Sequence, residues 1–139
     1  MAVQVEMFLF DTDTITNIVK PRPSTNLLRR LKNIPQTQQY ISTITISEMV
    51  YGAEKSPRPE YHLNNLEKIL LPAVNIVGFD AKAGYICGRI RAQLEKRGTP
   101  LDLAELEIAS ITMANDFTLI SNNTRHFQRI PGLKQKNWL

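Results

Sequence analysis

The sequence predicts an α/β fold with a mainly parallel central sheet. Two observations carry this. Short apolar runs (Met7–Phe10, Ile41–Ile46, Ala73–Gly78, Phe117–Ile120) alternate with stretches whose apolar residues recur at helical spacing. The first of these runs is continuously apolar, as expected of a strand buried on both faces of a parallel sheet, and it ends in an acidic turn. At 139 residues and 42% hydrophobic content the chain has the size of one ordinary domain with a full core, so a single domain over 1–139 is expected.

Asp11 follows the first strand directly and sits where open parallel sheets collect ligands, at a strand's carboxyl end. The plainer reading is that Asp11 or Thr12 caps the helix read from Thr14 to Lys20, which Pro21 and Pro23 stop. Ser24 or Thr25 caps a second helix through Leu27, Leu28 and Leu31, with Arg29, Arg30 and Lys32 in water. Ile41–Ile46 is β-branched and reads as the second strand; Ser47 then caps a helix carrying Glu48 in its first turn. An acid there is ordinary dipole stabilisation, or a second carboxylate at a strand's end.

Ser56-Pro57-Arg58-Pro59 is a turn, and Leu63, Leu66, Ile69 and Leu70 follow as core. Ala73–Gly78 is a third strand, and Asp80 caps a long helix whose buried face is Ala83, Ile86, Cys87, Ile90 and Leu94. Gly98 closes that helix, whose other face carries Arg89, Lys96 and Arg97. Gly98-Thr99-Pro100 lacks the Lys-Ser/Thr of a phosphate loop. In the next helix Asp102 and Glu105 stand as in a capping box, ahead of an apolar stripe of Leu103, Leu106, Ala109 and Met113. Phe117–Ile120 is a strand ending in Ser121-Asn122-Asn123, and Leu133–Trp138 is a last strand or extended tail. His126 is read as a surface or packing residue.

The net charge of +4 favours a polyanionic partner, although charge bears on association rather than fold. The bases are segregated, Arg29 and Arg30 in one group and Arg89 and Arg97 in another; they are either solvated helix faces or an RNA-binding surface. Acids fall elsewhere, at Asp11, Asp13, Glu48, Asp102, Glu105 and Glu107, which suits a metal site acting on a phosphodiester. The single cysteine, Cys87, forms no internal bridge and favours an intracellular protein. There is no membrane-length apolar run and no signal-peptide pattern, so a cytoplasmic location is expected.

Several segments together resemble the PIN-domain family, and within it the VapC-type toxins of bacterial toxin–antitoxin systems. Phe10-Asp11-Thr12-Asp13 is similar to the family's Leu-Asp-Thr-Asn, and Thr45 to Gly52 is similar to its Ser/Thr-Glu-Leu-x-x-Gly. Ile90 to Glu95, Gly98-Thr99-Pro100, Leu106 to Ala109, Ser121 to Phe127, Pro131-Gly132-Leu133 and Trp138 follow in the family's order. The resemblance spans nearly the whole chain and implies a three-layer α/β/α domain with four to five strands. It further implies an endoribonuclease dependent on Mg²⁺ or Mn²⁺, leaving a 5′-phosphate and a 3′-hydroxyl. Its partners would be RNA, a small antitoxin whose C-terminal segment covers the cleft, and a second copy of the chain.

Carried over by position, Asp11 and Glu48 match family acids directly, and Glu105, seven residues after Gly98, stands where the family normally has Asp. These three are the implied metal ligands. Asn123 stands where many members have a fourth Asp, and Ser121 where Thr is common; both are expected to orient water or substrate. The extra methylene of Glu105 moves its carboxylate by about 1.5 Å, enough to cost about a hundredfold in rate if uncompensated. The backbone compensates, or Asp102 or Asp13 supplies a ligand, or activity is weakened. The alternative to a working nuclease is therefore an RNA-binding or complex-forming module with a defective site.

Overall fold

The computed structural model describes residues 5–139, so the sequence reading of the amino terminus falls partly outside the described residues. Five strands, β1 (Phe8–Phe10), β2 (Gln39–Ser42), β3 (Asn75–Val77), β4 (Thr118–Ile120) and β5 (Gln135–Lys136), form one sheet in the order β3-β2-β1-β4-β5. Every neighbouring pair is parallel. The helices are α1 (Thr12–Asn17), α2 (Thr25–Lys32), α3 (Thr43–Lys55), α4 (Pro59–Asn65), α5 (Ala81–Lys96), α6 (Leu103–Ala114) and α7 (Thr124–Phe127).

The period-two alternation of strands divides the core into two clusters, one on each face of the sheet. Leu9 and Leu119 point to one side, where Ala83, Cys87, Ile90 and Leu94 of α5, Leu106 and Ala109 of α6, and Phe127 of α7 cover them. Phe8, Phe10 and Ile120 point to the other, against Ile15 of α1, Leu27 of α2, Leu66, Leu70 and Trp138. Helices on both faces make the three layers. α3 joins them, with Ile44 packed on the first cluster and Ile46, Met49 and Val50 on the second.

Several boundaries differ from the sequence reading for identifiable reasons. The second strand ends at Ser42 rather than Ile46, because the Ser42 hydroxyl accepts from the Thr45 amide at 3.1 Å and starts α3 there. Thr43 to Ile46 are thus helical despite their β-branching, and Glu48 lies in the second turn of α3, with Ser47 inside the helix rather than capping it. α1 likewise begins at Thr12, since Asp11 Oδ1 accepts from the Thr14 amide at 2.9 Å. The capping box is not formed: Asp102 holds the N-cap position of α6 without a side-chain capping bond. Ile69 is exposed rather than core, because a π turn over Leu66–Leu70 brings Leu66 and Leu70 inward instead; Leu103 is exposed as well.

Other expectations match. Ser24 caps α2 and Asp80 caps α5, each accepting from the amide three residues on. α5 ends in a Schellman turn: Gly98, at φ +71°, donates to Glu95 O and Thr99 to Leu94 O. α6 ends the same way with Asp116 at φ 54°, Phe117 donating to Thr112 O. Cys87 is buried and unbridged. No helix among the described residues is long and apolar enough to cross a membrane.

Candidate active site

The strand order reverses between β1 and β4. From β1 the chain builds outward to β2 and β3, then returns to lay β4 on the other side of β1. A switch point of this kind opens a crevice beyond the strands' carboxyl ends. Phe10 pairs with Ile120 and the Asp11 amide donates to Ile120 O at 3.1 Å, so Asp11 and Ser121 leave the paired strands together.

Asp11 is both a helix cap and a lining residue of this crevice. Asp11 is 6% exposed as a residue, and burial pushes its pKa up from the ordinary aspartate value. The neighbouring Ser121 hydroxyl and the bond from the Thr14 amide offset part of that rise, while the negative charge of Asp13 adds to it. Ser121 is itself fully buried and does not line the crevice; its hydroxyl accepts from the Asn123 amide at 2.8 Å and, beside Asp11, favours the ionised carboxylate.

Glu48 reaches the crevice from α3. Thr12 Oγ1 lies 2.6 Å from Glu48 Oε1 and 3.1 Å from Thr45 Oγ1. A carboxylate can only accept, so the single Thr12 proton goes to Glu48 and Thr45 donates to Thr12. Glu105 enters from α6, and its Oε2 lies 3.3 Å from Asn123 Nδ2 and 3.1 Å from His126 Nδ1.

The crevice is a cleft of about 170 Å³ lined by Asp11, Thr12, Asp13, Glu48, Asp102, Glu105, Ile108, Asn123 and Phe127. Five of these are carboxylates, and no Lys or Arg is among them, in a chain whose net charge is +4. A buried carboxylate with acidic neighbours and no lining base is an environment that a hard, oxygen-preferring cation would relieve. Among the described residues, no three His, Cys, Asp or Glu side chains stand close enough together to hold a metal ion as they are placed. The acidic lining, open to solvent and bare of Lys and Arg, suits an ion that keeps several waters beside one or two carboxylates, the habit of Mg²⁺.

Of the acids the sequence offers for a metal site, all but Glu107 meet in this cleft, and Asn123 with them. The arginines do not. Arg29 bonds Asn26 and Arg30 lies over the Trp138 ring on the α2 face, whereas Arg89 stacks on Tyr85 and Arg97 ends α5 on the opposite face of the sheet. All four are exposed. Two contacts of the site were not part of the sequence reading. His126 contacts Glu105 rather than serving only surface or packing, and its one available signal was its place three residues after Asn123. Thr12, read as a cap candidate, instead orients Glu48.

Fold and cleft define a doubly wound α/β protein with an acidic site at its topological switch point. The chain belongs to the PIN domain family, whose description matches residues 8–133. It is 34% identical over 131 residues to a tRNA(fMet)-specific endonuclease VapC of Salmonella typhimurium, covering 94% of this chain and 97% of that protein. It is 32% identical over 132 residues to ribonuclease VapC2 of Haemophilus influenzae, covering 95% and 98%. Among solved structures, DNA-bound VapBC from Salmonella typhimurium superposes with a TM-score of 0.85 at 32% identity, over 97% of this chain and 100% of that one. VapBC2 from Rickettsia felis, bound to a promoter DNA fragment, gives 0.87 at 30% identity, over 96% and 99%.

Proposed function

We propose that this chain, acting as a single domain over 1–139, is the endoribonuclease toxin of a VapBC-type toxin–antitoxin pair. Its substrate is a structured RNA, tRNA included, and its cofactor is Mg²⁺ or Mn²⁺. The observation that carries the reading is the convergence of Asp11, Glu48 and Glu105 on one cleft with no lining base. The names of the curated relatives, one a tRNA endonuclease and one a ribonuclease, support the reaction and the substrate class.

Asp11, Glu48 and Glu105 are the residues that would hold the cation, and Asp13 and Asp102 on the exposed rim add to the negative field that attracts it. When bound, a divalent cation would lower the pKa of an attacking water and offset charge on the phosphoryl oxygens of the scissile bond. The protein's own part is positioning. Ser121 and the Thr14 amide fix Asp11, Thr12 fixes Glu48, and Asn123 directs its amide at Glu105.

An antitoxin partner in a hetero-oligomer is supported by the VapBC complexes among the similar structures; a toxin dimer within it is what the family resemblance implies. A groove of about 550 Å³ beside the cleft, lined by Val19, Met49, Ala53, Leu66 and Leu70 among others, shares Thr12 and Glu48 with it. An apolar segment lying in that groove would end at the acidic site. In the test, purified protein is incubated with RNA. Cleavage with added Mg²⁺ or Mn²⁺, its loss with chelator, and its loss in Asp11→Ala and Glu48→Ala are expected; undiminished cutting by both variants would sink the assignment.

A further inference from the structure

We infer that His126 is a positioning residue which, through Nδ1 and together with Asn123, holds the Glu105 carboxylate in the cleft and so adapts a side chain longer than aspartate to its task. This rests on the metal-site reading above. His126 does not line the cleft, whereas Glu105 and Asn123, its two polar contacts, do, so the imidazole acts on the cleft through them.

Three polar atoms form a close triangle. His126 Nδ1 lies 3.1 Å from Glu105 Oε2 and 3.3 Å from Oε1, Asn123 Nδ2 lies 3.3 Å from Oε2, and the two nitrogens are 3.0 Å apart. Of the two neutral tautomers, the one with a proton on Nδ1 suits both nitrogen contacts to Glu105. If Nδ1 carried a lone pair, it would accept from Asn123 while facing the carboxylate oxygens at repulsive range. With a proton on Nδ1, both nitrogens donate to Glu105, and their mutual approach is the result of converging on one acceptor. The imidazole is therefore a donor to Glu105.

The arrangement is anchored at its base. Asn123 is fixed by its own amide, which donates to Ser121 Oγ, and Ser121 in turn holds Asp11. α7 begins at the next residue and carries His126 back toward α6. A free glutamate would sample many rotamers; two converging donors restrict it. An aspartate at 105 would end about 1.5 Å short of this position, beyond hydrogen-bond reach of His126. The contact is specific to glutamate, which separates positioning from general support of the fold.

The experiment is a double-mutant cycle on purified protein, reading Mn²⁺ affinity by electron paramagnetic resonance alongside kcat and KM for RNA cleavage. H126A is expected to weaken Mn²⁺ binding about tenfold, the scale for losing a group that orients a ligand, and to lower kcat more than it raises KM. H126N, whose amide nitrogen takes the place of Nδ1, is expected to recover most of the affinity. With E105D as the parent, adding H126A is expected to cost less than about threefold. Equal losses in the two backgrounds, or H126A binding Mn²⁺ as tightly as wild type, would overturn the inference. Wild-type protein that binds no Mn²⁺ would bring down the metal-site reading and this inference with it.

Discussion

Thr12 Oγ1 and Glu48 Oε1 lie 2.6 Å apart, joining the first turn of α1 to the second turn of α3. Glu48 is otherwise an exposed residue on a helix face, and this bond gives it one direction. Thr12→Val keeps shape and removes the donor. We expect it to lower RNA cleavage about tenfold with little change in melting temperature, and Thr12→Ser to restore activity. Equal activity of the valine variant and wild type would show that Glu48 is oriented by something else.

Asp11 carries opposing demands of stability and function. In metal-free protein its raised pKa means the folded state keeps its proton where the unfolded chain has released it. The stability from that proton is fully present below the unfolded value and lost as pH rises through the folded one, so ionised Asp11 costs stability at neutral pH. Asp11→Asn keeps a good helix cap and removes the charge. It should melt above wild type at pH 7 while losing cleavage. Asp11→Ala should be about 1 kcal/mol less stable than the asparagine variant, the worth of a cap. Thermal scans of the three proteins from pH 4 to 8 decide this, and an asparagine variant melting below wild type would contradict it.

Trp138 closes the second core cluster from the far end of the chain. Its ring lies 4.8 Å from Phe8 and 5.9 Å from Phe10, with Arg30 over it, and its carbonyl accepts from Asn26. Trp138→Ala should cost about 3 kcal/mol, and about 10 °C in melting temperature. A change of only a degree or two would mean that the tail packs on the sheet without stabilising it.

Gly98 tests the backbone alone. A Cβ there meets nothing within 4 Å, so Gly98→Ala adds no clash beyond the left-handed φ of +71°. Denaturant unfolding should show a loss of about 1 kcal/mol with an unchanged m-value.

By itself the sequence determined the elements and their chemistry. Apolar runs alternating with helical periodicity set the α/β class, and Asp11 stood legibly at the end of the first strand. Ser24, Asp80 and Gly98 announced their caps, because such signals act between residues a few positions apart. The tertiary structure decided what those residues meet. The strand order alone brings Ser121 and Asn123 beside Asp11, since β4 returns to pair with the edge of β1 that β2 leaves open. Ser42, rather than Ser47, starts α3 because packing against both core clusters outweighs the β preference of Thr43 to Ile46. Glu105 left the local partner its spacing offered, Asp102, for donors on α7 and the loop before it. A buried or half-buried carboxylate is placed by whichever donors the fold delivers to it, and those come from parts of the chain that local pattern cannot connect.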